Sequence, residues 1–112
     1  MLKIISIGDV TDVQFENIQK INVLVSDSIK DELKKLFERP NVKVMFNMEG
    51  ISFLDSTGFA AFLSALRLAQ KNQGRFVFYN VSDMVLELFQ ILHLHTVFKI
   101  LNSQEEAIKS FE

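Results

Sequence analysis

Three consecutive polar residues, Asp55, Ser56 and Thr57, separate an apolar run from a segment whose apolar residues have helical spacing. Their side chains can accept hydrogen bonds from the free N–H groups at the start of a helix, and Gly58 leaves the backbone free to turn tightly there. The same N–H groups and the helix dipole favour an anion such as phosphate. These residue types therefore suit two kinds of chemistry, helix capping and attachment of a phosphate to a hydroxyl.

The elements on either side of this stretch are a buried strand and a long helix. Residues 42–48 form a near-continuous apolar run of strand length, as expected for a central strand covered on both faces. A helix is predicted from residue 57 or 58 to about residue 71, with Gly74 at the usual exit. The apolar residues that predict this helix are Phe59, Phe62, Leu63 and Leu66.

The remaining segments alternate between strand and helix patterns. Strands are predicted at residues 2–7, 21–25, 75–79 and 96–101. Helices are predicted after caps at residues 26–28, at Ser82 or Asp83, and at Ser103. The apolar residues of the segment 10–20 fit neither helical nor strand spacing. The alternation predicts an α/β fold in which helices pack against a mixed or mostly parallel sheet of four to five strands.

The composition fits a single domain that spans residues 1–112. Hydrophobic residues make up 48% of the chain and charged residues 23%, enough for a core and a polar surface. The formal net charge is -2 and the lysines and arginines are dispersed, which argues against a nucleic-acid partner. The sequence shows no signal-peptide pattern and no apolar run of about 20 residues. We therefore expect a cytoplasmic protein without a membrane partner.

Other kinds of chemistry find little support in the residue types. The chain has no cysteine, which excludes disulfides, thiolate metal sites and cysteine nucleophiles. A hydrolase would need Ser56 as nucleophile with His93 or His95 as base, but the Gly-x-Ser-x-Gly elbow is missing. The two histidines need further ligands to form a metal site, and the glycine-rich loops of nucleotide sites are missing. We expect no enzyme activity, no cofactor and no metal.

The stretch FLDSTG at residues 53–58 resembles the signature of the STAS domain, the family of anti-sigma-factor antagonists. That signature is an apolar strand, then Asp-Ser-Ser/Thr-Gly, then a helix. The order of elements from roughly residue 21 to residue 110 also agrees with the family, and residues 72–74 and 92–100 resemble sequence patterns that are common in it. The resemblance implies a STAS-like fold.

The resemblance implies a switching role for Ser56. In the family, the serine directly after the aspartate is phosphorylated by a partner that is both a serine kinase and an anti-sigma factor. The unphosphorylated protein would bind this partner and free the sigma factor, phosphorylation would release the partner, and a protein phosphatase would reset the cycle. Asp55, Thr57 and Gly58 would shape the surroundings of the acceptor.

The expected partner surface surrounds the start of the central helix. Phe59 is either an exposed anchor for the partner or a core residue, since its position and spacing fit both. Ala60 and Ser64 give the helix a small-residue side suited to close approach. Ser26 and Asp27 stand in about the place of the family's Gly-x-Leu-Asp motif, so Asp27 is a further candidate for partner binding.

Two alternatives to the switch stay open. Polar residues such as 55–57 are used most often for helix capping alone. A STAS-like scaffold could also assemble with itself or with larger signalling proteins without control by phosphate. Stable assembly that Ser56→Asp leaves unchanged would favour the scaffold.

Overall fold

The structure, a computed structural model that describes residues 2–112, contains seven strands and four α-helices within that range. The strands are β1 (Leu2–Ile7), β2 (Val10–Phe15), β3 (Lys20–Ile21), β4 (Lys43–Asn47), β5 (Phe53–Leu54), β6 (Arg75–Tyr79) and β7 (Ile100–Leu101). The helices are α1 (Val23–Phe37), α2 (Ser56–Lys71), α3 (Asp83–Ile91) and α4 (Gln104–Lys109), with a short 3-10 helix at Leu94–Thr96.

Five of the strands form one mixed sheet in the order β1-β2-β4-β6-β7. β1 and β2 are antiparallel and are joined at Gly8, whose φ of 61° lies in the left-handed region that glycine adopts easily. The other neighbouring strands run parallel, with Val10 opposite Lys43 and Lys43 opposite Arg75. The predicted α/β fold with a mixed or mostly parallel sheet of four to five strands is confirmed.

Phenylalanine rings fill the side of the sheet that faces α1, α2 and α3. Phe78 of β6 lies at the centre of this main core. Its ring centroid is 4.9 Å from that of Phe62, 5.3 Å from that of Phe98 and 5.4 Å from that of Phe89. These rings meet edge-to-face or tilted, the arrangements that aromatic pairs prefer. The large aromatic core therefore holds all three longer helices to the sheet.

The opposite side of the sheet is covered by α4, which contributes Ala107 to a second apolar cluster. Beneath it lies Asp12 of β2, with only 1% of its surface exposed. The Asp12 carboxylate accepts hydrogen bonds from the Tyr79 hydroxyl at 2.8 Å and from the Gln104 amide at 3.3 Å. Burial, and next the hydrogen bond to Asp12, raise the pKa of Tyr79, so the phenol keeps its proton and donates it. This network ties the start of α4 to the sheet.

The buried position of Asp12 also explains why the apolar residues of the segment 10–20 show neither helical nor strand spacing. β2 has its buried positions at Val10, Asp12 and Val13, so a polar residue stands where the strand pattern requires an apolar one. The hydrogen bonds to Asp12 satisfy the polar group that the pattern treats as exposed.

The segment 21–25 is not the strand that its apolar run predicted. Strand pairing is confined to Lys20–Ile21, and α1 begins at Val23 after Asn22, whose side chain caps the first turn. The predicted cap at residues 26–28 is wrong as well. A strong N-cap residue outweighs the β-branched composition here, because the following residues bury one helical face. The buried residues of α1 are Ser26, Ile29, Leu33 and Phe37.

The later elements follow the predicted order with shorter ends. Ser82 caps α3 and Ser103 caps α4, as predicted. The last strand is confined to Ile100–Leu101, because Leu94–Thr96 forms the 3-10 helix.

The end of α2 differs in one detail from the prediction. Gln73, and not Gly74, takes the left-handed backbone, with a φ of 58°. A Cβ at Gly74 would lie 3.1 Å from Cγ2 of Val42, so this glycine permits close packing of the chain.

Candidate functional site

A small parallel ladder sets the starts of two helices side by side. β3 pairs with β5, so that Ile21 lies opposite Leu54. One residue further on, Asn22 caps α1 and Asp55 caps α2. Because the two strands are parallel and in register, both helices begin at the same side of the molecule. An anion placed there meets the positive ends of two helix dipoles.

Asp55 is the residue that caps α2. Its Oδ1 accepts the backbone N–H of Thr57 at 2.9 Å, the backbone N–H of Gly58 at 3.1 Å and the hydroxyl of Thr57. The hydroxyl bond from Thr57 is the main cause of a lowered pKa of Asp55, with smaller contributions from the N–H groups of Gly58, Thr57 and Val23. Asp55 therefore stays ionised, and the hydroxyl of Thr57 is engaged in the hydrogen bond to it.

Ser56 is the first residue of α2 and is exposed. Within the described part of the chain its hydroxyl forms no hydrogen bond, because Asp55 already takes the N–H groups that a serine cap would use. Any of the residues 55–57 could have capped the helix. In the structure Asp55 is the cap, and the Thr57 hydroxyl supports it by donating a hydrogen bond to Asp55. The hydroxyl of Ser56 is left free for other chemistry.

Protonation of Asp55 at low pH is expected to weaken α2. Hydrogen bonds lower the pKa of Asp55 in the folded protein, so its contribution is fully present above the unfolded-state pKa of about 3.9. The contribution is lost as the pH falls through the lower folded-state value. Asp55→Asn keeps a capping oxygen without the charge. The Tm difference between wild type and Asp55→Asn should therefore be largest near pH 7 and shrink below about pH 4.

Thermal melts followed by circular dichroism measure this difference. Asp9, whose pKa is lowered by its hydrogen bond and ion pair with Lys43, titrates in the same range in both proteins and cancels in the comparison. A Tm difference that stays constant from neutral to acid pH would contradict the role of the Asp55 charge.

Gly58 lets α2 start close to β3. A Cβ at this position would lie 2.9 Å from Cγ2 and 2.9 Å from the backbone oxygen of Ile21. Carbon atoms in favourable contact are about 3.5–4.0 Å apart, so any side chain here pushes the helix start away from the ladder. The glycine is required by this close approach.

We expect Gly58→Ala to lower the free energy of unfolding by about 1–3 kcal/mol, the usual cost of overpacking. Helix propensity alone predicts the opposite sign, because alanine is better than glycine inside a helix by about 1 kcal/mol. Urea denaturation measures the change. The control is Ala60→Gly at a nearby exposed position, which should lose about 1 kcal/mol through propensity. A Gly58→Ala protein more stable than wild type would contradict the contact with Ile21.

A groove of about 220 Å³ lies between the first turns of α1 and α2. Asp27 and Lys30 line it from α1, and Thr57 and Ala60 line it from α2. A second section of about 460 Å³ shares Lys30 and is lined further along α2 by Ser64. The structure thus places Asp27, Ala60 and Ser64, three of the predicted partner-binding residues, along one furrow between the two helices.

Phe59 is a core residue and not an exposed anchor. Only 3% of its surface is exposed, and its ring packs edge-to-face on Phe89 with the centroids 5.0 Å apart. The expectation that Phe59 itself contacts a partner is therefore wrong, and the alternative of core burial is confirmed. The reason is its helical spacing with Phe62, which turns both rings towards the sheet.

The exposed apolar residues at this site are Val23 and Leu24 of α1, which the sequence interpretation missed. Leu24 is 86% exposed, and Val23 lines the groove opposite Ala60. Both were assigned to a strand, where a neighbouring strand would have covered them. Recognising Asn22 as a cap would have placed them on the outer side of the first helical turn.

The histidines lie apart from this arrangement. His93 ends the turn after α3 and His95 belongs to the 3-10 helix, with their ring centroids 6.4 Å apart. Across residues 2–112 no group of three or more His, Cys, Asp or Glu side chains could hold a metal ion. In that same range no helix has both the length and the apolar character needed to cross a membrane.

Comparison with known proteins identifies the family. The family model described as STAS domain matches residues 5–107. An anti-sigma-B factor antagonist from Listeria monocytogenes is 24% identical over 87 residues, which cover 78% of this chain and 76% of that relative. The structure of an anti-sigma-factor antagonist (STAS) domain protein from Planctomyces limnophilus has a TM-score of 0.89 at 20% identity, covering 97% of this chain and 96% of the other.

A further similar structure is that of the Bacillus cell fate determinant SpoIIAA in the phosphorylated form. Its TM-score is 0.72 at 19% identity, and the match covers 100% of both chains. The order of strands and helices thus agrees with solved structures along the whole chain. The family match covers nearly all of the sequence and agrees with the resemblance of the FLDSTG stretch. The protein therefore belongs to the STAS domain family.

Proposed function

We propose that this protein is a phosphorylation-controlled binding switch of the anti-sigma-factor antagonist kind, with Ser56 as the acceptor. The unphosphorylated form binds a partner that is both a serine kinase and an anti-sigma factor, and so frees a sigma factor for transcription. Phosphorylation of Ser56 releases the partner, and a protein phosphatase restores the binding form. The protein itself catalyses no reaction, needs no cofactor and acts in the bacterial cytoplasm.

The observation that carries this proposal is the free, exposed hydroxyl of Ser56 at the start of α2. Its neighbours Asp55 and Thr57 are both engaged in the cap. A phosphoryl group on Ser56 would therefore break no hydrogen bond of the fold. The same modification on Thr57 would remove the hydroxyl bond to Asp55, which favours Ser56 as the acceptor.

The fold should tolerate the phosphate. The group adds a charge of about -1.5 to -2 at neutral pH. Two helix N-termini lie beside it, and each stabilises a nearby anion by roughly 0.3–1 kcal/mol. Repulsion from the Asp55 carboxylate acts against this gain. Since the opposing effects are of similar size and the site is exposed, the folded structure should persist after modification.

A docked partner should not tolerate the phosphate. A partner that covers the furrow and the exposed Val23 and Leu24 would bury the new charge next to Asp55. Burying a charge without a matching cation costs several kcal/mol. The phosphate therefore acts on binding and not on folding.

The kinase step requires only the oxygen of Ser56 from this chain. Its Oγ attacks the γ-phosphorus of ATP, the new O–P bond forms as the bond to the ADP oxygen breaks, and the hydroxyl proton passes to a base of the kinase. Two comparisons support the proposal: a relative named anti-sigma-B factor antagonist, and a similar fold solved in a phosphorylated form.

The test is incubation of the purified protein with its cognate serine kinase and ATP. We expect a mass gain of one phosphoryl group, located on the peptide that contains Ser56, and no gain in Ser56→Ala. Ser28→Ala, which alters an exposed serine of α1, is the matched control and should be modified like wild type.

Modification of Thr57 or Ser28 in place of Ser56 would contradict the assignment. A kinase that binds the protein but transfers no phosphate would contradict the switch. If in addition Ser56→Asp left the complex intact, the scaffold alternative would replace it.

A further inference from the structure

We propose that β1 is a second interaction surface, through which two copies of this chain pair edge to edge. β1 is the end strand of the five-stranded sheet and pairs only with β2 among the described strands. Its outer side therefore presents unpaired backbone N–H and C=O groups. This inference does not depend on Ser56 or on the switch.

The β1 edge has only one of the features that usually prevent pairing, the charge of Lys3. Such features are short strands, prolines, bulges and charged side chains. β1 pairs with β2 without interruption from Leu2 opposite Phe15 to Ile7 opposite Val10, so it contains no bulge. Its sequence LKIISI has no proline and a single charge, on Lys3. The opposite edge, β7, has two residues, so among the described strands β1 alone offers an edge that can pair along a full strand.

Ile4, in the middle of this edge, is half uncovered. It lies opposite Val13, which is completely buried, yet 50% of its own surface is exposed. Leu2, on the same face of the strand, packs against the main core. Ile4 therefore stands at the border of the core, where one more strand beyond β1 would cover it.

Symmetry selects both the partner strand and its register. A two-fold axis perpendicular to the sheet makes the two β1 strands antiparallel and keeps the same face of each sheet on the same side. With Ile4 on the axis, the Ile4 side chains of the two copies cover each other. With Lys3 on the axis, like charges would lie opposite each other, which is destabilising. With Ile5 on the axis, Ile4 would face the polar Ser6. β1 is therefore self-complementary about Ile4.

The same geometry fixes the stoichiometry. Each copy has one long edge, so pairing stops at two copies and gives one continuous ten-stranded sheet, twice the five strands of the single chain. Because one strand pair buries little surface compared with stable dimers, the association should be reversible.

Sedimentation equilibrium on the 112-residue chain tests the dimer. The wild-type mass should rise from 12.9 kDa towards twice this value as the concentration approaches about 1 mM. Ile4→Lys should remain monomeric, because two lysines would face each other across the axis. Met84→Lys changes an exposed apolar residue of α3 and should associate like wild type. Circular dichroism checks that both variants are folded.

Single cysteines test the register, since the chain has none of its own. With oxidised glutathione as the electron acceptor, Ile4→Cys should form a disulfide-linked dimer, because directly opposed Cα atoms lie about 4.5–5.5 Å apart. The two copies of residue 5 are staggered by two positions, beyond the reach of about 7 Å, so Ile5→Cys should link far more slowly.

Three results would overturn the proposal. They are a wild-type protein that stays monomeric at about 1 mM, a dimer that Ile4→Lys leaves intact, and faster cross-linking of Ile5→Cys than of Ile4→Cys. A wild-type monomer that instead binds an extended peptide along β1 would assign the edge to another chain.

Discussion

A phosphate on Ser56 should lower the affinity for the kinase partner at least about 100-fold, whereas Ser56→Ala should bind like wild type. A 100-fold loss corresponds to roughly 2.8 kcal/mol, within the several kcal/mol that burial of an unpaired charge costs. Ser56→Ala removes a hydroxyl that bonds to nothing in the described residues and leaves the Asp55 cap in place. Ser56→Asp, with less charge than phosphate, should show an intermediate loss.

Titration calorimetry with the partner measures these affinities. Ser28→Asp is the matched control for charge, because it adds the same carboxylate at an exposed serine of α1 that does not line the groove. Equal losses for Ser28→Asp and Ser56→Asp would mean that the partner responds to overall charge. An unchanged affinity after phosphorylation of Ser56 would refute the release step.

The second large effect concerns the main core. Phe78→Ala should lower the free energy of unfolding by about 3–5 kcal/mol, the usual cost of removing a buried phenylalanine. The ring of Phe78 is completely buried, and its aromatic neighbours come from β4, α2 and α3 as well as from its own strand. Such a loss is a large part of the 5–15 kcal/mol that stabilises a typical domain.

Urea denaturation of Phe53→Ala provides the comparison for this core variant. Phe53 is partly exposed on β5 and appears in none of the ring pairs of the core, so its loss should cost about 1 kcal/mol or less. Similar costs for the two variants would contradict the central position of Phe78.

Sequence patterns were sufficient for α2 and its polar start. The helical spacing from Phe59 to Leu66 identified the helix, and the residue types at 55–57 identified its capped end. Spacing did not reveal which of the three residues caps the helix. That division depends on hydrogen-bond geometry, which gives the backbone N–H groups to Asp55 and leaves Ser56 free.

The start of α1 could not be read from composition alone. The run from Ile21 to Val25 is rich in β-branched residues and resembles a strand, but capping by Asn22 and burial of one helical face decide the structure. This error concealed Leu24, the most exposed large hydrophobic residue described at the site. It also concealed that α1 and α2 start side by side, each directly after one strand of the β3–β5 ladder.

Phe59 shows a second limit of sequence patterns. An apolar residue one turn into a helix can face either the core or a partner, and only the positions of the sheet and α3 settle the choice. Asp12 is a polar residue that the sequence pattern places at the surface but the structure buries. Its hydrogen bonds come from Tyr79 and Gln104, two residues that are distant from it in sequence.

The most direct measurement of the central claim is the phosphorylation state of Ser56 in the native cell. Intact-mass spectrometry with peptide mapping should find a fraction of the protein carrying one phosphoryl group on the Ser56 peptide, changing with growth or stress, and none in Ser56→Ala. A Ser56 that stays unmodified under all these conditions, or a phosphate carried by another residue, would contradict the switch.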